Sequence, residues 1–577
     1  MYTLGINAAF HDCAACLVED GIVVAAAEEE RFTRVKHGKR PVPFTVWQLP
    51  FHAIGYCLDQ AGISLRDLDH VAYAYDPAPQ LAMRAGRDSI ALPLEPSAHT
   101  TEAPWEELAL AYVVNAPRQL AGGAPHHLRH RFELAGNAAP YRWHFVEHHR
   151  AHEASACLAA PFDECAVLVM DGRGERACTS YGVYQDERYA RFKQVDYPHS
   201  IGMLYEQVTA HLGFLHSCDE YKVMALASYG RPGWLAALRE VVRYRGGGAY
   251  DIAPLDWAAL LGPPRRRGAP LEQRHMDIAC SLQAVLEDTV MQMADWLHFE
   301  TGAEHLCMAG GVALNCVLNG KLRERGPFAD IWVQPAAGDA GTALGAALWV
   351  DRAERAGPRR WRMRHAFLGP AFGDDEIEQL LIQARLPYRR PPDIVEAAAA
   401  LLAQGRVLGW FQGRMEFGPR ALGARSILAS PLEFGMQERL NQLKDREDFR
   451  PVAPSVPQEL AADWFVAGTA SPFMLFVDRV RPDQASRIPA ACHVDGSARV
   501  QTVARDEHPL FHALLHAFGA RTGVPVLINT SFNTRGEPIV CTPRDALESF
   551  CTTGIDALAF GPFLLEKPLW TGQGGAP

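Results

Sequence analysis

No stretch of the chain approaches the roughly 20 consecutive apolar residues that a membrane-spanning helix needs, so no membrane partner is expected. Positive charge is not in surplus either: 56 Lys and Arg stand against 67 Asp and Glu, a net charge of −11. That balance argues against a nucleic-acid partner held by a broad basic face. The start, Met1-Tyr2-Thr3-Leu4-Gly5-Ile6-Asn7, enters a strand directly and lacks the basic-then-apolar layout of a signal peptide. A cytoplasmic location is the expectation. Paired cysteine modules are missing as well. The thirteen cysteines, an odd count, are scattered through apolar surroundings and read as reduced core residues. Cys13-Ala14-Ala15-Cys16 is formally a C-x-x-C, but it lies in an apolar strand pattern without a second pair, so no zinc or redox role is assigned to it.

At 577 residues the chain is too long for one ordinary domain, and its 48% hydrophobic and 21% charged content supplies ample core for two or three. Strands are expected at Thr3 to Asn7, Ala14 to Glu19 and Ile22 to Glu28, the last two joined by an Asp20-Gly21 turn. Val167 to Met170, ending in Asp171-Gly172-Arg173-Gly174-Glu175, and Thr179 to Tyr184 repeat the theme. Two such units suggest a duplicated fold with both loops facing one cleft, the layout of the actin/Hsp70 (ASKHA) superfold. A mostly helical, Pro- and Ala-rich insertion is expected from Pro77 to Pro140, and a long helix from Met276 to Thr301. The chain therefore reads as α/β: an actin-like domain over residues 1–355, a linker over 356–371, and a second α/β domain over 372–577. The arginines of the linker read as a solvated face, and the tail from Thr571 as disordered.

Two basic loops point to anion chemistry. Gly413 to Gly423 carries Arg414 and Arg420 beside Glu416, and Lys444-Asp445-Arg446-Glu447-Asp448-Phe449-Arg450-Pro451 follows shortly after. Guanidinium forks held by small residues suit phosphate-type oxygens, which need several fixed donors. Gly310-Gly311 and the companion turn Pro335 to Gly345 each join a strand to a helix, exposing N–H groups to an anion. His148 and His152 lie at i and i+4, one above the other on a helix. Asp171 at a strand end and Asp339 at a helix start complete a His₂Asp₂ set suited to iron, manganese or zinc. A surface helix with spare histidines is the alternative, since His144 and His149 are nearby. His11-Asp12, after the first strand, is a candidate general base.

The basic loops, with Leu527-Ile528-Asn529-Thr530-Ser531-Phe532-Asn533, resemble the carboxy-terminal, YrdC-like half of the NodU/CmcH/TobZ carbamoyltransferases. H-x-x-x-H, D-G-x-G-E and the G-D-A-G turn occur in the order seen in that family's amino-terminal domain, which is similar to the universal tRNA threonylcarbamoyltransferase. The resemblance implies a metal, iron in the family, on His148, His152, Asp171 and Asp339. It places Gly310, Gly311, Asn315 and Gly338 around the nucleotide, and His11 as general base. Arg420, Arg450 and Arg499 would neutralise phosphate charge, with Lys444 and Arg446 nearby and Asn529, Ser531 and Asn533 hydrogen-bonding an adenylate. Asp12, Lys36 and Asp219 are acceptor-site candidates. Mg-ATP and carbamoyl phosphate would form carbamoyl-adenylate, and a hydroxyl of a small natural product would accept the group. A homodimer is left open. Three rivals are weighed. A tRNA threonylcarbamoylation enzyme is disfavoured by the acidic balance. A hydrogenase-maturation carbamoyltransferase should carry paired C-x-x-C modules. A nucleotide-binding scaffold without chemistry sits poorly with the intact arginine blocks.

Overall fold

In the computed structural model, which describes residues 1–38, 49–83, 104–122, 140–534 and 536–568, the chain divides into two compact units, Met1–Arg364 and His365–Pro577. The first unit is built on two five-stranded sheets. β1 (Tyr2–Asn7), β2 (Ala14–Glu19) and β3 (Ile22–Glu28) form an antiparallel meander, and β4 (His70–Tyr73) and β5 (Arg142–Phe145) continue parallel from β1. In the second sheet β6 (Cys165–Met170), β7 (Ala177–Gln185) and β8 (Arg188–Asp196) repeat the meander. A short hairpin, β9 (Val242–Gly246) with β10 (Ala249–Ile252), intervenes; β11 (His305–Ala309) and β12 (Asp330–Val333) then continue parallel from β6. The strand orders, β3-β2-β1-β4-β5 and β12-β11-β6-β7-β8, are the same connectivity used twice.

Two helices cross over between the sheets. The His148–Cys157 helix follows β5 of the first sheet yet packs on β6 and β11 of the second. The Ala340–Arg355 helix follows the second sheet and packs on β1, β2 and β4 of the first, and the two helices pack on each other. Small residues make this possible. A Cβ on Gly345 would stand 1.8 Å from the Ala151 carbonyl, and one on Gly5 1.9 Å from the Ala343 carbonyl. With sheets and helices layered this way, β1, β4 and β6 are covered on both faces and read as nearly continuous apolar runs.

The expected strands and the long helix (Gln273–Thr301) are present. Of the insertion expected over 77–140, helices Ala78–Met83 and Pro104–Gly122 are seen; 84–103 and 123–139 lie outside the described residues, as does the tail 571–577. The linker arginines Arg360, Arg362 and Arg364 are exposed, as a solvated face requires, but the Arg359 side chain is not. The Arg359 side chain is 5% exposed, and its guanidinium donates to the carbonyls of Cys157 (3.1 Å), Ala160 (3.1 Å) and Phe162 (2.7 Å). A cation there satisfies carbonyls that a helix C-terminus leaves open, which is why it is drawn in. Arg360 donates to Asp20 O and Arg362 pairs with Asp163, so this segment is fastened to the first unit.

The second unit carries a seven-stranded mixed sheet in the order β18-β15-β19-β14-β13-β20-β21. Its strands are β13 (Leu408–Phe411), β14 (Arg425–Ala429), β15 (Ala453–Pro457), β18 (Gln501–Val503), β19 (Leu527–Ser531), β20 (Ala557–Phe560) and β21 (Phe563–Glu566); β16 (Val477–Arg479) and β17 (Ser497–Arg499) form a separate ribbon. Alternate residues feed two cores. Leu408, Trp410, Leu428 and Leu527 join one with Phe511, Leu515 and Phe518, while Phe411, Ile427 and Ile528 join another with Phe532 and Phe550. Among the described residues no helix is long and apolar enough to cross a membrane.

Candidate metal centre and anion-binding loops

The parallel strands of the first unit deliver their carboxy-terminal ends to one place, where ligands of open α/β sheets bind. His148 and His152 stand one turn apart and are fully buried. Glu175 fixes the start of their helix: its carboxylate accepts the N–H groups of Asp76 (2.7 Å) and His148 (3.0 Å). A negative group there also suits the helix dipole. His148 Nδ1 donates to the Ala74 carbonyl at 3.3 Å, which leaves the lone pair on Nε2.

Two carboxylates face that lone pair. Asp171 Oδ2 and Asp339 Oδ1 each lie 3.5 Å from His148 Nε2, and Asp339 Oδ1 lies 3.7 Å from His152 Nε2. The other Asp171 oxygen accepts the Gly311 N–H at 2.8 Å. That contact depends on Gly310, whose φ is +91° and whose Cβ would stand 2.2 Å from the Met170 carbonyl. Burial raises the cost of charge on both aspartates, but the neighbouring imidazoles hold Asp171 far below the usual carboxylate range and Asp339 at about 2. His148 Nε2, both ring nitrogens of His152 and Asp339 Oδ1 have no hydrogen-bond partner among the described residues. Buried polar atoms are rarely left so. Four converging ligand atoms, all within 4.8 Å of one another, fit a first-row divalent cation with mixed nitrogen and oxygen ligation.

The loop after β1 reaches the same place. His11 Nδ1 is 2.8 Å from Asp12 Oδ2 and 3.7 Å from Asp339 Oδ2. The other Asp12 oxygen meets His37 Nδ1 at 2.8 Å. Burial opposes both charges, yet the pair stabilises itself: Asp12 lies well below and His37 well above its ordinary range. Asn7 Nδ2 pins the loop through the carbonyls of His11 (2.9 Å) and Asp12 (3.0 Å), and Asp12 is held at φ +51°. Lys36 sits in the same short turn as His37. Asp219 immediately precedes the Glu220–Leu226 helix, its carboxylate accepting the Leu215 N–H at 3.1 Å and pairing with Lys222 at 3.1 Å; the adjacent Cys218 thiol lies against His37. Asn315 caps the Cys316–Arg325 helix through the Leu318 N–H (3.0 Å) and donates to Gln283 (2.9 Å). Gly338 immediately precedes Asp339, and a Cβ there would touch only Leu314.

In the second unit Lys444 is the hub. Its ammonium donates to Asn533 Oδ1 (2.7 Å), Asn533 O (3.0 Å), Ser531 Oγ (3.2 Å) and Ser531 O. Asn529, two residues back on β19, donates to Gln501 at 2.8 Å. Arg446 is turned onto Asn441 (2.5 Å), Arg450 lies 3.7 Å from Glu447, and Arg499 ends β17. Lys444, Ser531 and Asn533 are thus brought together, while Arg446 and Arg450 contact their own segment. The loop bearing Arg420 is shaped from within. Glu416 is buried and accepts the N–H groups of Leu422 (2.7 Å), Ala424 (2.7 Å) and Arg425 (3.3 Å), so that nest already holds an anion. Arg414 is spent on the carbonyls of Leu368 (2.6 Å) and Gly369 (3.2 Å). Arg425, which the sequence does not single out, is fully buried, donates to carbonyls of Gln412, Gly413, Ala424, Pro370 and Cys541, and stacks 3.7 Å over Phe411.

Residues 2–84 and 138–348 match the family model described as Carbamoyltransferase N-terminus, and 399–567 the model described as Carbamoyltransferase C-terminus. The chain belongs to the carbamoyltransferase family that includes the rhizobial nodulation proteins, and it is an enzyme of that class. It is 38% identical to Nodulation protein NolNO of Sinorhizobium fredii over 97% of this chain and 80% of that one. It is 42% identical to NolO of Bradyrhizobium diazoefficiens over 73% of this chain and 79% of that one. An uncharacterised Synechocystis protein is 41% identical over 98% of this chain and 97% of its own length. A crystal structure of T. kodakarensis HypF overlaps 62% of this chain and 48% of that one at 15% identity and a TM-score of 0.33, a likeness too slight to bear on the chemistry.

Proposed function

We propose that the protein is an ATP-dependent O-carbamoyltransferase working in two steps, with an actin-type first unit and a YrdC-like second unit. The observation that carries this reading is the division of donors: a buried His₂Asp₂ set and His11 in the first unit, a lysine- and arginine-rich set in the second. In the first step water takes the phosphoryl group of carbamoyl phosphate, releasing inorganic phosphate and leaving carbamate. The resulting carbamate oxygen attacks the α-phosphorus of ATP, pyrophosphate leaves, and carbamoyl-adenylate remains. Lys444 and Arg420, with Arg450 and Arg499, supply positive charge for the oxygens that gain charge; Asn529, Ser531 and Asn533 supply polar contacts to the adenylate.

In the second step a hydroxyl of a small natural product attacks the carbamoyl carbon. His11 takes the hydroxyl proton at Nε2, because the Asp12 carboxylate at Nδ1 fixes the tautomer; AMP leaves and a carbamate ester forms. His148, His152, Asp171 and Asp339 would hold the divalent metal, iron being the family's choice. Bound there, a divalent cation would supply positive charge for AMP phosphate oxygens. Gly310, Gly311 and Gly338 keep side chains away from that approach, and Asp12, Lys36 and Asp219 border the acceptor.

The test is pyrophosphate release from ATP, carbamoyl phosphate and a panel of polyhydroxylated acceptors. Release that needs carbamoyl phosphate, and that falls at least 100-fold in Arg420→Ala, is expected from removing a charge-stabilising donor. Absence of such release from metal-replete protein across the panel would overturn the reading.

A further inference from the structure

A second cluster of metal-ligating side chains lies wholly within the other unit. The Pro509–Thr522 helix carries His512 and His516 at i and i+4, so both rings leave the same face one turn apart. Their ring centroids are 4.6 Å apart. Opposite them, the short turn Gln458–Leu460 that follows β15 presents Glu459. His512 Nε2 lies 2.9 Å and His516 Nε2 2.8 Å from the same carboxylate oxygen, Oε1. His512 is 8% exposed, while His516 and Glu459 are about half exposed and open to solvent.

Helical spacing already does the expensive part of building an ion site. Two imidazoles share an orientation because the helix imposes it, and the third ligand comes from an element packed against that helix. As the structure stands, two N–H groups crowd one oxygen. A cation would replace those protons, with ligand atoms spaced by roughly 3.3 Å for bonds of about 2.0–2.1 Å. That requires Glu459 to retreat by a few tenths of an ångström, which a half-exposed side chain can do. We infer that Glu459, His512 and His516 form a second divalent-metal site that takes zinc, nickel, cobalt or copper. Two imidazoles and one carboxylate select these ions over magnesium and calcium, which favour all-oxygen shells. The site belongs to a different unit from the buried quartet and shares no residue with the proposed carbamoyl chemistry.

Its consequence is mechanical. The ion ties the turn after β15 to the Pro509–Thr522 helix. His508, at the start of that helix, reaches the Gly423 carbonyl at 3.0 Å and so holds the end of the loop that bears Arg420. Gly423 itself, at φ +110°, has room for no side chain: a Cβ would come within 2.5 Å of Phe511. Loading the clip therefore steadies the same helix that braces the loop, and an ion bound only by the folded state raises its stability by mass action.

Untagged full-length protein, stripped with chelator, is titrated with Zn²⁺ by calorimetry and with Co²⁺ by visible absorption, with millimolar Mg²⁺ present. Glu459→Gln and His516→Ala, both at exposed positions, are titrated alongside, with circular dichroism as the check on folding. Asp339→Asn identifies the equivalent that belongs to the first unit. The expected result is that His516→Ala loses about one equivalent of Zn²⁺, or binds it at least 10-fold more weakly. It should also lose the zinc-induced rise in melting temperature of this class, while Asp339→Asn retains both. Superimposable titrations for wild type, Glu459→Gln and His516→Ala would overturn the assignment. So would full displacement of Zn²⁺ by Mg²⁺ at this class.

Discussion

Glu220, next to Asp219 in the chain, shows how one side chain answers to its surroundings. Burial is the main cause that raises its carboxyl to about 7, and the charge of Glu206 adds to it. A carboxyl raised in the folded state contributes stability that is full below its ordinary value of 4.5 and is lost as pH rises through about 7. Glu220→Gln keeps an acceptor for the Ser217 N–H, now at 2.6 Å, but cannot ionise. The variant should lie close to wild type near pH 5 and be the more stable at pH 8, by at most ~3.5 kcal/mol at about 1.4 kcal/mol per pKa unit. Thermal unfolding at the two pH values checks this; a gap that is the same at both would remove burial of the carboxyl as its cause. The pairing of His148 and His152 was legible because a helical period is local and needs no knowledge of the fold, while their ligand role came from the family resemblance. Glu175 and His37 were not legible in this way. Glu175 stood inside a stretch singled out for another reason and His37 beside Lys36, yet the role of each depends on a partner far along the chain, Asp76 and His148 for one and Asp12 for the other.

Among the elements, the two crossing helices of the first unit do most to place the chemistry. Their close approach puts Asp339, at the head of one, against His148 and His152 on the other. Gly345→Ala tests this directly. The added methyl would begin 1.8 Å from the Ala151 carbonyl and 2.7 Å from the Ser155 nitrogen, both backbone atoms that cannot swing aside. Although alanine favours a helix, overpacking should dominate and cost on the order of 1–3 kcal/mol. Chemical denaturation measures that loss, and metal content should fall with it. A variant as stable as wild type would mean the helices can part without cost. The strands themselves were easy to read, since apolar runs and the Asp20-Gly21 turn are local signals. The linker was harder: Arg359 looks solvent-seeking in sequence, and only the C-terminus of the His148–Cys157 helix explains why it is buried. Likewise the part Arg414 plays on its loop depends on the Leu368 and Gly369 carbonyls, which lie far from it in sequence.

For the whole molecule, the division of donors between two units makes a prediction that neither unit makes alone. The candidate metal-ligating quartet lies entirely within Met1–Arg364, and the Lys444-centred set entirely within His365–Pro577. If each set serves its own half-reaction, damage to one should spare the other. Lys444→Ala removes an ammonium shared among four oxygens of Ser531 and Asn533, so it should abolish carbamoyl phosphate-dependent pyrophosphate release, and transfer with it. Asp339→Asn removes the carboxylate shared by both histidines, so it should lose the metal of the first unit. It should still release pyrophosphate while failing to carbamoylate an acceptor. Metal analysis, pyrophosphate release and product formation on the same two variants separate the cases. A Lys444→Ala protein that still forms adenylate, or an Asp339→Asn protein that loses pyrophosphate release in step with transfer, would contradict the division. Because the two substitutions act through different ligands in different cores, neither result can be mistaken for a general loss of folding once the unaffected half-reaction, or unchanged metal content, is measured in the same sample.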